Sequence, residues 1–415
     1  MINKLNPSNV LLNTLSIGSF QFANYFLPIL MVPFLIRALG LDLYGSFAIL
    51  YAILSFLNLM VEYGFNVLAT KDVALMQNNE SKISQYFSNV MFTKLSIFIL
   101  ILLLSFICLI AFESKLFTHY YLLLPALLGN LLIPQWLFQG LEKVLFASLV
   151  NLVTKTIFFL LIIFTVLSPN DFTLLLLLFT SGAILSGILC FIYAVYRFKI
   201  KLQYPNLNAC KILLKNGFPL AISAFSTQGY SSLLVVILGQ SFNHGVVGLY
   251  SSVERVSQLL KAIFIPFSQS LIPYTSKIVK YEANFKCKII KPFVIPLMMI
   301  MLLVIIMICF EQHIFVILSV DMSQLSNINF YYFLLIGVIF TAIGNIFGVH
   351  YLINSGKQNI FGRVILLVGL VSIVLALLLI PIYGINAAAF ISMAAEAIIA
   401  FGFLCIVFIK RVNIR

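Results

Sequence analysis

Apolar runs long enough to cross a lipid bilayer recur from one end of this chain to the other. SIFILILLLSFICLIAF (96–112) and VILLVGLVSIVLALLLI (364–380) are two of them. Runs of about 17–25 apolar residues span the hydrocarbon as a helix. Hydrocarbon offers no water to open backbone groups, so only helices and closed barrels cross it. These runs do not alternate in polarity, which excludes a barrel. Only 9% of the 415 residues are charged and 62% are hydrophobic. A globular chain carries roughly a quarter charged residues, so these charges cannot cover a water-facing surface. The class is an all-α polytopic membrane protein. The N-terminal MINKLNPSNVLL leads into an apolar stretch longer than a signal-peptide core, with no small-residue cleavage site, and reads as a first membrane helix.

Twelve spans are predicted, at 11–36, 44–65, 86–112, 120–139, 144–167, 172–196, 217–239, 246–274, 290–310, 329–353, 362–382 and 386–409. The connections are short, and no soluble domain fits between them. Basic residues set the orientation. With the N-terminus cytoplasmic, nineteen of the 25 Lys and Arg fall on the cytoplasmic side, two (Arg37, Lys115) on the other, and four (Lys94, Lys155, Arg255, Lys261) inside spans. The positive-inside rule requires this asymmetry; one span more or fewer would reverse the later loops. Both termini are therefore expected in the cytoplasm. The net charge of +13 is spread over separate short loops, which suits anionic lipid and not nucleic acid.

The halves are alike. SFQFAN (19–24) pairs with STQGYS (226–231), LGLDLYGSF (39–47) with GVVGLYSSV (245–253), and LFQGLEK (137–143) with LINSGKQ (352–358). Six spans is an even number, so both halves enter from one side, a known plan of parallel repeats. The expected organisation is a six-helix lobe over 1–200, a cytoplasmic linker over 201–216 and a second six-helix lobe over 217–415, around a central cavity.

Ionisable groups inside a membrane are costly and face a cavity or a partner. On span eight, Ser251, Glu254, Gln258, Lys261 and Ser268 fall on one face; Tyr44, Tyr51, Ser55, Asn58 and Glu62 repeat the pattern on span two. Either stripe lines a wet path or bonds one helix to another. Lys94 and Lys155 lie two to three turns inside spans three and five; snorkelling to the interface suits Lys94 better than Lys155, about 16 Å deep at 1.5 Å per residue. Arg255 borders the span-eight stripe. Glu396, mid-span among small residues, is a proton or cation site or a hydrogen-bonded packing residue. His350 reads as a hydrogen-bonded residue at a helix contact. In PQWLFQGLEK (134–143), Trp136 suits the membrane interface, Gly140 permits the turn into the next span, and Glu142 and Lys143 are solvated.

The six cysteines show no CxxC or metal spacing and read as free apolar fillers. There is no GxxxxGK[ST] phosphate loop, no HExxH and no GxSxG. Neither a cofactor nor a metal is called for, and an enzyme is not expected. Any energy source must be an ion gradient, the membrane potential or the substrate gradient.

IRALGLDLYGSFAIL (36–50), VEYGFNVLATKDVAL (61–75), PQWLFQGLEK (134–143), VGLYSSVERV (247–256) and NSGKQ (354–358) resemble Wzx-type O-antigen flippases of the multidrug/oligosaccharidyl-lipid/polysaccharide (MOP) exporter superfamily. The resemblance covers nearly the whole chain. It implies a MATE/MOP-like pair of six-helix bundles that open alternately to either side. It also implies a substrate: an undecaprenyl-diphosphate-linked oligosaccharide moved from the inner to the outer leaflet of a bacterial plasma membrane. Membrane lipids, and the polymerase and chain-length regulator of the same pathway, are the implied partners. Such a headgroup needs cations for its phosphates and amides, hydroxyls and rings for its sugars. Lys94, Lys155, Arg255 and Lys261 are the candidate cations; Tyr51, Asn58, Gln228 and Gln258 the candidate sugar contacts; Glu62, Glu254 and Glu396 the candidate ion-coupling acids. A cation-coupled multidrug exporter of the same superfamily would favour an acidic, aromatic pocket. A membrane O-antigen polymerase or acyltransferase would need a large extracytoplasmic loop, which the chain lacks.

Overall fold

The computed structural model describes residues 7–76, 79–111, 115–281, 290–320 and 328–409. Side chains are described from Phe26 onward, apart from 108–118 and scattered positions between 223 and 281. Lys4, Lys286, Lys288, Cys287, Lys410, Arg411 and Arg415 lie outside the described residues, as do the side chains of Ser19, Gln21, Cys108, Lys115, Lys277 and Lys280.

Among the described residues every regular element is helical. Eight stretches are long and apolar enough to cross a membrane. Two of them, Phe26–Met76 and Gln358–Phe408, each have 51 residues. At 1.5 Å per residue that is about 77 Å, more than twice the hydrocarbon thickness of about 30 Å. Each is interrupted at a glycine in a conformation closed to other residues: Gly40 (φ 80°) and Gly384 (φ 60°). Each therefore supplies two crossings. Leu207–Ala224, a π-helical turn at Phe225–Gly229, Tyr230–Ser241 and the more polar His244–Tyr281 make up the remainder. A count of about twelve crossings follows. The fold is that of an all-α, multi-pass membrane protein.

The chain divides into two compact units, one of residues up to Met31 with Leu50–Phe225, the other of Val32–Ile49 with Ser226–Arg415.

In the first unit, Tyr63 (φ 46°) and Gly64 (φ 75°) end the membrane helix, and the chain restarts as the helix Phe65–Met76. The predicted spans, ending at 65 and resuming at 86, make this stretch a connection, and it is instead helical. Phe65, Ala69 and Val73, one helical turn apart, are fully buried. They pack with Trp136, Leu137 and Phe138 of the short helix Gln135–Gly140. Trp136 does not face the headgroups as its residue type suggested. It is fully enclosed beside Tyr86 and Phe87, with ring centroids 6.1 and 5.7 Å away, because the 65–76 helix covers it. Gly140 does not make the turn either. A Cβ there would stand 2.8 Å from Val73, so this glycine permits close helix approach, and Glu142 (φ 56°) carries the turn. Glu142 and Lys143 are exposed, as expected.

Residues 198–206 of the first unit are not helical, and side chains satisfy their backbone. Lys201 N–H donates to Ser84 Oγ (3.2 Å), Gln203 N–H to Ser88 Oγ (3.0 Å) and Asn206 N–H to Asn89 Oδ1 (2.9 Å). Asn206 then caps the next helix, accepting from Asn208 N–H and Ala209 N–H.

In the second unit, the matched segments 39–47 and 245–253 meet. A Cβ on Gly45 would collide with the His244 carbonyl, and one on Gly248 with the Leu41 carbonyl, so two backbones cross with no side chain between them. Ser46 Oγ bonds His244 Nδ1 at 2.7 Å. The π-helical turn Ile346–Ile353 carries His350, fully buried, with Nε2 2.9 Å from Ser268 Oγ and Nδ1 3.0 Å from Thr275 Oγ1. His350 is thus a helix-to-helix connector.

Candidate functional site

The four interior cations and three interior acids do not stand alone. Burying an unpaired ammonium is far costlier than burying one against a carboxylate with hydrogen bonds, and two lysines are found so paired, one in each unit.

In the first unit, Lys94 Nζ lies 3.0 Å from Glu62 Oε1, with side-chain exposures of 0% and 19%. Lys94 therefore does not snorkel. Its stem, on the helix Glu80–Ala111, turns inward to the last turn of the helix that ends at Glu62. Asn58 sits one turn before Glu62 on that helix. Both Asn58 Oδ1 and Glu62 Oε2 are buried acceptors without a hydrogen-bond donor. Lys155, on Val144–Thr165, is exposed on the isolated chain and lies within electrostatic reach of Tyr51. The Tyr51 ring packs edge-on against Phe179 at 5.8 Å.

In the second unit, Lys261 Nζ lies 2.9 Å from Glu396 Oε1, with exposures of 28% and 15%. Tyr230 OH donates to the same carboxylate oxygen at 3.4 Å. One to two turns back along the helix, Gln258 Nε2 donates to Glu254 Oε1 (3.2 Å) and Arg255 Nη1 donates to Gln258 Oε1 (3.3 Å). Arg255 also reaches Tyr44 by a side-chain hydrogen bond. Glu254, Arg255, Gln258 and Lys261 are all half-buried. The far end of the predicted stripe behaves differently: Ser268 is buried and donates to Asn345 Oδ1 at 2.6 Å. This helix face bonds to neighbouring helices at Lys261, through Glu396, and at Ser268, through Asn345, while its groups at 254–258 also bond among themselves. Gln228 is exposed on the π-helical turn 225–229, and its carbonyl accepts from Ser231 Oγ. Such turns are frequent at functional positions.

Sequence reasoning named every member of the two lysine–glutamate pairs without pairing any of them. It missed Tyr230 as a third member of the Glu396 cluster; a tyrosine directly after a π-helical turn falls out of the helical period. Among the described residues, no group of three or more His, Cys, Asp or Glu is placed to hold a metal ion. The second-unit arrangement sets two cations, Arg255 and Lys261, and two carboxylates, Glu254 and Glu396, among hydrogen-bonding side chains.

Comparison with known proteins agrees in kind. Residues 10–279 match the family described as "Polysaccharide biosynthesis protein". A protein of Escherichia coli (strain K12) named "Putative O-antigen transporter" is 25% identical over 389 residues, 93% of this chain and 94% of that one. A protein of the same name from Shigella dysenteriae is 27% identical over 269 residues, 64% of this chain and 67% of that one. Among solved structures, an inward-facing MATE family multidrug resistance transporter of the MOP superfamily superposes with a TM-score of 0.68 at 14% identity, covering 94% of this chain and 96% of its own. The lipid II flippase MurJ, in an inward closed conformation, superposes with a TM-score of 0.67 at 18% identity, covering 93% and 86%. At these identities the structural likeness is one of fold: this chain has the MATE/MOP architecture.

Proposed function

This chain belongs to the polysaccharide biosynthesis protein family, and we propose that within it the chain is a flippase, not an enzyme. Its substrate is an undecaprenyl-diphosphate-linked oligosaccharide, an O-antigen or related surface-glycan repeat unit. It carries the headgroup from the cytoplasmic to the periplasmic leaflet of a bacterial inner membrane by alternating access, with both termini cytoplasmic and an ion gradient as the driving force. The polymerase and chain-length regulator of the same pathway then take up the product.

The observation that carries this reading is the half-buried run Glu254–Lys261 with Glu396 and Tyr230. A sugar diphosphate is too polar to cross hydrocarbon unaided. It needs cations it can reach and donors it can exchange for water. Lys261, 28% exposed, and Arg255 supply the cations; Gln258 and the exposed Gln228 supply hydrogen-bonding groups, and Tyr230 holds the Glu396 carboxylate. Lys155, exposed in the first unit and within electrostatic reach of Tyr51, offers a further cation. Lys94, fully buried, serves the first unit's own charge balance. A multidrug exporter would favour an acidic, aromatic pocket, where this face is mixed in charge. The relatives named O-antigen transporters support the glycan reading.

Deletion in the native host tests it. The expected result is complete lipid-linked repeat units held on the cytoplasmic leaflet and loss of the surface glycan. Continued appearance of single repeat units at the surface, with only chain length lost, would mean polymerisation and not flipping.

A further inference from the structure

We propose that residues 196–215 of the first unit form a docking surface for anionic phospholipid headgroups. The inference goes beyond the flippase reading and does not depend on which substrate is carried.

Arg197, Lys199, Lys201, Lys211 and Lys215 are all exposed, and between Asp171 and Glu254 the sequence has no acidic residue. The helix Leu207–Ala224 packs on Phe65–Met76 and Glu80–Ala111. The acids of those two helices leave the positive excess in place. Asp72 is bonded to Tyr86 at 2.7 Å and follows the exposed Lys71, and Glu80, exposed, has the exposed Lys82 two residues on.

Membrane topology asks for basic residues but not for a fixed shape, and this segment has one. Lys199 takes the left-handed conformation (φ 50°), uncommon for a residue with a side chain. The chain after it is tied to a single helix. Lys201, Gln203 and Asn206 donate their N–H groups to Ser84, Ser88 and Asn89, and Gln85 Nε2 donates to the Tyr204 carbonyl at 3.0 Å. Residues 201 to 206 therefore run alongside positions 84 to 89 of that helix, over about 8 Å at 1.5 Å per residue.

That stretch of helix is where its outer surface changes character. Its exposed residues are polar at Glu80, Ser81 and Lys82 and apolar at Phe92, Leu95 and Ile99. In a membrane-spanning helix this change marks the headgroup level, and the tied segment lies across it. Tyr204, 96% exposed, belongs to this segment, and Tyr196, 86% exposed, lies in the last turn of the preceding helix. Leu202 and Ile212 are exposed among the lysines. Tyrosines at headgroup level are held there by their amphipathic rings, and lysines near an anionic leaflet are drawn to its phosphates. The level favours lipid over a soluble acidic protein, which would meet the same charges from the water.

Quenching by brominated lipids tests the surface. Full-length protein carrying Tyr204→Trp is reconstituted in vesicles of equal parts phosphatidylglycerol and phosphatidylcholine, with bromine near the top of the acyl chains of one lipid or the other. The signal of the parent, whose single tryptophan is fully buried, is subtracted. The expected result is severalfold stronger quenching by brominated phosphatidylglycerol, falling to parity in high salt and on joint replacement by Lys199→Gln, Lys201→Gln, Lys211→Gln and Lys215→Gln. Equal quenching by both lipids in the lysine-bearing protein would overturn the proposal. So would a preference that survives salt and the four replacements, or no quenching by either lipid, the result an acidic protein as occupant would give. Should the four-lysine variant not accumulate, the salt series decides; should Tyr204→Trp not accumulate, Leu202→Trp is the reporter.

Discussion

Lys94 is the residue where charge and burial conflict most. It has no exposed surface, so the carboxylate of Glu62 is the condition for its being charged in the interior. Removing one member of such a pair typically costs about 3–5 kcal/mol, while replacing both with apolar residues is often neutral. Glu62→Leu should therefore lower thermal stability in detergent sharply, and Glu62→Leu with Lys94→Met should recover most of the loss. Equal loss in both variants would show that the pair does not act as a unit. Lys261 and Glu396 differ in being partly open, where ion pairs are worth less. Lys261→Glu should leave protein levels near normal yet abolish surface glycan, and the exchange Lys261→Glu with Glu396→Lys should not restore it. Restoration would make this pair a packing device with no role toward the headgroup. The sequence disclosed all of these residues, because a charged side chain in an apolar run stands out. It did not disclose who pairs with whom: Lys261 and Glu396 are 135 positions apart, and no periodicity reaches that far.

At the scale of elements, the membrane helices were legible because hydrophobic run length is a direct consequence of bilayer thickness. The helix Phe65–Met76 was not. It is short, follows a span without a break in composition, and contains Lys71 and Asp72, so it reads as a polar connection. Its signal was the spacing of Phe65, Ala69 and Val73, all fully buried. The misplacing of Trp136 followed from missing it, since a tryptophan at a span's end faces the headgroups only if nothing covers it. Trp136→Ala should cost about 3–5 kcal/mol, the usual range for a large core aromatic, visible as loss of folded protein in size-exclusion chromatography. A well-folded variant would mean the 65–76 helix does not seal this core. The glycine crossing makes a separate prediction. Gly45→Val puts a side chain where the His244 carbonyl lies and should destabilise the second unit, whereas Gly356→Asn, at a turn with open space around it and φ 73°, should be tolerated because asparagine accepts that conformation. Comparable losses in both would show the crossing is not tight.

For the whole molecule, charge distribution and family membership point the same way. The basic residues imply an orientation, and the segments 39–47 and 245–253, alike in sequence, cross closely in one unit. The substrate was not legible in any local pattern, because a headgroup is recognised by side chains drawn from many helices. The proposed orientation makes a simple expectation. Cysteine placed at Lys199 should react with an impermeant thiol reagent only from the cytoplasmic side, and cysteine placed at Ser319 only from the outside. Labelling of both from one side would invalidate the twelve-span topology. The central claim, that this chain moves a lipid-linked glycan between leaflets, is tested most directly in vesicles. The purified protein is reconstituted with a fluorescent undecaprenyl-diphosphate oligosaccharide from its host, and the leaflet distribution is followed with an impermeant quencher. The account predicts protein-dependent loss of the protected pool, slowed by Lys261→Glu; a protected pool that persists as in protein-free vesicles would contradict it.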